Sequence, residues 1–228
     1  MSFPLNGILV HLFRASRDLP TPVAQALDAW RALPTPAADT PLERTRLVVL
    51  NVETVGFDAR RAVLRALGAV AIEDGRTISK NVFAAALSVP PHDEAPPASD
   101  MPAEALGALL GFIGKAPIVA FHAAVAQTVL ERVLRAELGV TLTNPWIDLA
   151  PLARALAPQA QLPYPGLDNW LRHFGLPALV RDHALDDARV TAELFQILLQ
   201  RATARGVASL AQLSAVARTQ QRTATGVG

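Results

Sequence analysis

Three apolar stretches in close succession constrain this chain most: Leu47 to Val52, Val63 to Ile72 and Ile78 to Leu87, the last two joined by an Asp74-Gly75 turn. Short turns between β-forming runs predict an antiparallel three-stranded meander. Side chains alternate along a strand, so Asn51 and Glu53 emerge on one face of the first strand, at its C-terminal end. That end is where an α/β sheet usually builds its site. Two acids there would hold divalent cations; one amide and one acid hold them less well.

The rest of the 228-residue chain fits such a sheet. With 51% apolar residues it can bury a sizeable core. No run approaches the roughly 18 uninterrupted apolar residues of a membrane span, and the first residues lack the basic-then-apolar order of a signal peptide. The expectation is a soluble cytoplasmic protein with no membrane association. Cysteine is absent, which excludes disulfides, thiolate metal sites and a cysteine nucleophile. A metal would therefore sit on oxygen and imidazole ligands, which favours Mg²⁺ or Mn²⁺. The net charge of +1 does not by itself announce a nucleic-acid binder. Beyond Glu193 there is no acid, while Arg201, Arg205, Arg218 and Arg222 leave a mildly basic end.

Residues 1–45 read as an N-terminal extension: Val23, Leu27 and Trp30 have helical spacing, and Leu33 to Pro41 is a proline-rich linker. Residues 46–203 form the main domain, and 204–228 a C-terminal helix and tail. Pro90 to Pro97 breaks all periodicity and predicts an exposed loop. A helix over 103–114, a buried strand over 117–121 and a helix over about 124–138 follow. The remainder reads as helical, over about 148–156, 167–174, 184–204 and 207–217. Three antiparallel strands, then αβα, then helices predict a mixed five-stranded sheet flanked by helices.

Four segments, in order, resemble a known pattern. Asn51-Val-Glu53-Thr54-Val55-Gly56, with Phe57-Asp58-Ala-Arg-Arg61 and Leu67-Gly-Ala-Val70, is similar to the first motif of the DnaQ-like (DEDD) 3′ to 5′ exonucleases, the superfamily of the polymerase III proofreading epsilon subunit. Val119-Ala-Phe-His122-Ala-Ala-Val-Ala-Gln127 resembles the second motif. Leu162 to Pro177 resembles the segment before the third, and His183-Ala-Leu-Asp-Asp187-Ala-Arg-Val-Thr-Ala-Glu193 the third itself. The resemblance covers roughly residues 45–203 and implies a ribonuclease H-like fold. It also implies a site in which four carboxylates hold two divalent ions about 4 Å apart around a phosphodiester, with a general base for the attacking water.

Carried over residue by residue, half of that ligand set has lost its charge. Glu53 and Asp187 stand at retained metal positions, whereas Asn51 and Gln127 replace carboxylates. Two acids offset half of the charge of a metal pair, so the expectation is weak Mg²⁺ or Mn²⁺ binding, by one ion or none. The histidine subclass places its general base five residues before the last acid, here Asp182; His183 stands four before, the spacing of the tyrosine in the sister subclass. Asp182 and His183 are thus the candidate catalytic residues, and Asp182 also reads as a helix N-cap. Thr54, Val55, Gly56 and His122 occupy positions that would contact a nucleotide or nucleic acid. The implied partner is the 3′ end of single-stranded DNA or RNA, or a nucleotide, with hydrolysis weakened or lost. Two alternatives stay open: an active exonuclease using Asp182 and His183, and a non-catalytic module binding a protein partner. Asp148 reads as an N-cap near the site, and Trp146, Tyr164 and Trp170 as core aromatics or base-stacking groups.

Overall fold

The computed structural model describes residues 19–56, 58–87, 101–162, 166–179 and 183–224. Its centre is a sheet whose strands β1 (Leu47–Val55), β2 (Val63–Glu73), β3 (Arg76–Ala86), β4 (Ile118–Ala120) and β5 (Trp146–Asp148) lie in the order β3-β2-β1-β4-β5. The first three pair antiparallel, and β4 and β5 join in parallel. This is the mixed five-stranded sheet that the meander and the following αβα segment imply. β5 was not located by periodicity, because three residues are too few to display one. The loop expected over 90–97 lies outside the described residues.

Alternation along β1 assigns the two faces. Val48 and Leu50 enter a core with α1 (Thr21–Ala32), α2 (Ala103–Ile113) and α3 (Ala123–Leu138), through Leu27, Leu106 and Leu130 among others. Leu47 and Val49 enter the opposite core with α4 (Leu149–Leu156), α5 (Leu167–His173), α6 (Ala184–Ala204) and α7 (Leu210–Ala224). These four β1 side chains are at most 2% exposed. Each contributes roughly 1.5–3 kcal/mol relative to an exposed position. Asn51 and Glu53 continue the second face and so lie on the α6 side of the sheet.

The helices outside the αβα core are tied to it. Trp30 is buried against the first core and its Nε1 donates to the Gly114 carbonyl at 2.8 Å. Residues 38–42 pair with the start of α7: Ala211 N–H donates to Ala38 O at 2.9 Å and Leu42 N–H to Ala208 O at 2.9 Å. The last helix spans Leu210–Ala224, starting three residues after and ending seven residues beyond the expected 207–217.

One close approach fixes α6. Gly68 sits opposite Asn51 on β2, and a Cβ there would run into the Ala184 carbonyl and the Leu185 amide. Only glycine lets the first turn of α6 lie directly on the sheet beside Asn51. Substituting Gly68→Ala is expected to cost about 1–3 kcal/mol by overpacking. Gly111→Ala, in α2 with open space around it, is expected to stabilise by up to about 1 kcal/mol through helix propensity. Urea denaturation of the two variants, read as midpoints with unchanged slopes, checks both signs.

Candidate active site

Asn51 and Glu53 are half-buried on β1. Their β2 partners are Gly68 and Ala66, and the space over Gly68 is taken by the first turn of α6. The ladder slips between Glu53 and Thr54. A bulge at this point re-aims the end of the strand, and Val55 finishes it 53% exposed. Gly56 follows with φ 103°, a conformation that turns the chain sharply into the β1–β2 loop.

α6 supplies the second carboxylate. Ala184, Ala188, Thr191 and Ala192 are buried against the sheet. Asp187 lies three residues after Ala184 and four before Thr191, so it shares that stripe. Thr191 Oγ1 donates to the Asp187 carbonyl at 2.7 Å, which satisfies the hydroxyl within the helix. The structure thus brings Asn51, Glu53 and Asp187 to the same face at the same end of the sheet, with one oxygen of Glu53, Oε1, sealed from solvent.

The remaining sequence candidates are directed elsewhere. Gln127, on the first turns of α3, donates Nε2–H to Glu131 Oε1 at 2.8 Å. His183 occupies the N-cap position of α6. The N-cap is therefore not Asp182, which lies outside the described residues. The His183 imidazole is 61% exposed, with Nδ1 3.8 Å from Asp186 Oδ2. His122 has φ 57° at the corner between β4 and α3. It is exposed, and its ring meets Phe121 edge-on at 4.6 Å.

Asp148 holds that corner. Its Oδ1 accepts from His122 N–H at 3.1 Å and from Ala150 N–H at 3.0 Å, so the expected N-cap of α4 also clamps the strand-to-helix turn after β4. Asp148 and Gln127 line a depression of about 170 Å³ whose far wall is α7, through Ser214, Arg218 and Gln221. Trp170 is 1% exposed in the core, as its aromatic packing role implies, whereas half-buried Trp146 borders the depression. Tyr164 lies outside the described residues.

Among the described residues the donor set does not fit a metal pair. Among the described residues, no three His, Asp or Glu side chains form a group able to hold a metal ion. Glu53 and Asp187 are two acids where a two-ion clamp needs about twice that charge.

Comparison with known proteins agrees with this architecture. No protein-family model matches the chain. It is 27% identical over 188 residues to the DNA polymerase III PolC-type of Thermotoga petrophila, covering 77% of this chain and 13% of that protein. It is 29% identical over 172 residues to its counterpart from Clostridium perfringens, covering 68% of this chain and 11% of that protein. The chain thus spans about an eighth of the length of these curated relatives, from the 13% and 11% covered. A zinc-bound complex of Escherichia coli ExoI with single-stranded DNA superposes with a TM-score of 0.53 at 14% identity, over 69% of this chain and 41% of that one. The chain shares a ribonuclease H-like fold with that exonuclease. In this chain the strand end, the β4–α3 corner and the first turn of α6 carry the positions that the sequence motifs single out.

What sequence reasoning missed is the environment of Gln127 and the arginines beyond it. Arg60, Arg132 and Arg135 converge beside α3, and α7 brings Arg218 to its start. No local motif signals either grouping. Replacing Asp148 by alanine removes both acceptor contacts and is expected to cost about 1–2 kcal/mol. Asp148→Asn, which still accepts, is expected to keep most of that stability. Thermal unfolding of both variants distinguishes a capping role from a charge role.

Proposed function

We propose that this chain engages the 3′ end of a nucleic acid, or a nucleotide, at the C-terminal end of β1, with metal-dependent phosphodiester hydrolysis weakened or lost. The observation that carries the reading is the pair of amides at the motif positions. Asn51 stands beside Glu53 on β1, and the Gln127 amide is committed to Glu131. An amide offers a neutral oxygen where an ion pair would need negative charge.

Glu53 and Asp187 would hold at most one Mg²⁺ or Mn²⁺, weakly. A bound ion would supply Lewis-acid activation of a phosphodiester oxygen. The chain's own contribution is positional: Gly56 turns the backbone away from the strand end, Thr54 and exposed Val55 border it, and His122 caps the neighbouring corner. The alternative of an active enzyme relying on His183 is disfavoured by its imidazole, which lies toward Asp186 in solvent. A base must reach the proton it removes.

Cleavage of 3′-labelled single-stranded DNA and RNA in Mg²⁺ or Mn²⁺ tests this reading. The unaltered chain is expected to cut at least about 10²-fold more slowly than the Asn51→Asp/Gln127→Asp double variant. Rapid cleavage by the unaltered chain, abolished in Glu53→Ala, would refute the proposal.

A further inference from the structure

A second feature adjoins the strand end. Arg60, from the β1–β2 loop, and Arg132 and Arg135, from α3, line a pocket of about 450 Å³ together with Thr128, Glu131 and Ala136. Arg132 donates Nη2–H to the Ala62 carbonyl, which pins the loop against α3. Its Nε is buried and has no hydrogen-bond partner among the described residues. None of the three guanidinium groups forms an ion pair among the described residues. Glu131, whose Oε1 accepts from Gln127, is the one acid in the lining. Three arginines less one glutamate leave a formal charge of +2.

Positive charge in excess of its protein counterions attracts an anion. The pocket's place says which. It opens along α3 one helical turn from Gln127, and residues 127 to 135 span about 12 Å of helix axis. Its other wall is the loop that leaves β1 directly after Val55. Val55 and Val125, 53% and 51% exposed, are two large apolar side chains at this end of the sheet. Planar guanidinium groups match phosphate oxygens in a bidentate fork. A flexible single strand can follow such a groove while its bases rest on apolar side chains.

We infer that the Arg60, Arg132 and Arg135 pocket binds backbone phosphates of a single-stranded nucleic acid whose 3′ end lies at Asn51 and Glu53. This inference rests on the function proposed above and names where the strand leaves the site. Arg60 and Arg135 are exposed and make the contacts, while Arg132 also holds the loop.

Fluorescence anisotropy of a short 5′-labelled oligothymidylate, across a salt series, tests it. Arg60→Gln/Arg135→Gln is expected to weaken binding about tenfold and to reduce the slope of log affinity against log salt by roughly 1.4, two contacts at about 0.7 each. Thymidine monophosphate binding should be unchanged in that variant. Arg154→Gln/Arg172→Gln, which removes the same charge elsewhere, should leave affinity and slope as they were. Matching thermal midpoints establish that the pocket variant folds. Unchanged oligonucleotide affinity and slope in the pocket variant would overturn the inference and leave the proposed function standing. Failure of the unaltered chain to bind either oligonucleotide or mononucleotide would overturn both. Displacement of the oligonucleotide by polyglutamate at equal charge would also overturn it, in favour of an acidic protein partner.

Discussion

The contact between Gly68 and the first turn of α6 decides how the rest of this site is arranged. A helix packed on a sheet normally stands off by the length of its side chains. Here the Ala184 carbonyl meets bare backbone opposite Asn51. That approach carries the stripe of Ala184, Asp187, Ala188 and Thr191 onto the end of β1, and Asp187 shares a face with Glu53 as a result. The bulge after Glu53 and the left-handed turn at Gly56 then open the strand end to solvent on one side of that helix.

On this frame we propose that the charge balance limits the chemistry. Glu53 and Asp187 lie on the same face of the sheet, and on the proposed reading Asn51 and Gln127 remove half of the negative charge of a four-carboxylate site without removing bulk. Amides fit the same space and add donors, and the Gln127 donor is spent on Glu131. Positive charge gathers instead beside the site, where Arg60, Arg132 and Arg135 line one pocket and Arg218 borders another. We propose that a cleft with two acids and arginines along its flank is better suited to holding a phosphate chain than to cleaving it.

Much of the fold was legible in the sequence because β1, β2 and β3 are long, apolar and separated by short turns. β5 was not, since three residues beside Pro145 carry no period; parallel pairing with β4 makes it a strand. Within the site, Asn51 and Glu53 were legible from alternation, and Asp187 from its motif. The side chains of His183 and Gln127 were not. Helix spacing places a residue on a face, but the local carboxylates Asp186 and Glu131 decide where each one turns. The arginine pocket was equally hidden, because the contact that closes it joins residues 70 apart in sequence.

We propose that two amides limit this site to weak, single-ion binding. Titration calorimetry with Mn²⁺ tests it most directly, because it measures the ion without requiring turnover. The unaltered chain should bind at most one ion, weakly and with loss of that binding in Glu53→Ala, and Asn51→Asp/Gln127→Asp should bind two more tightly. Tight binding of two ions by the unaltered chain would contradict the account.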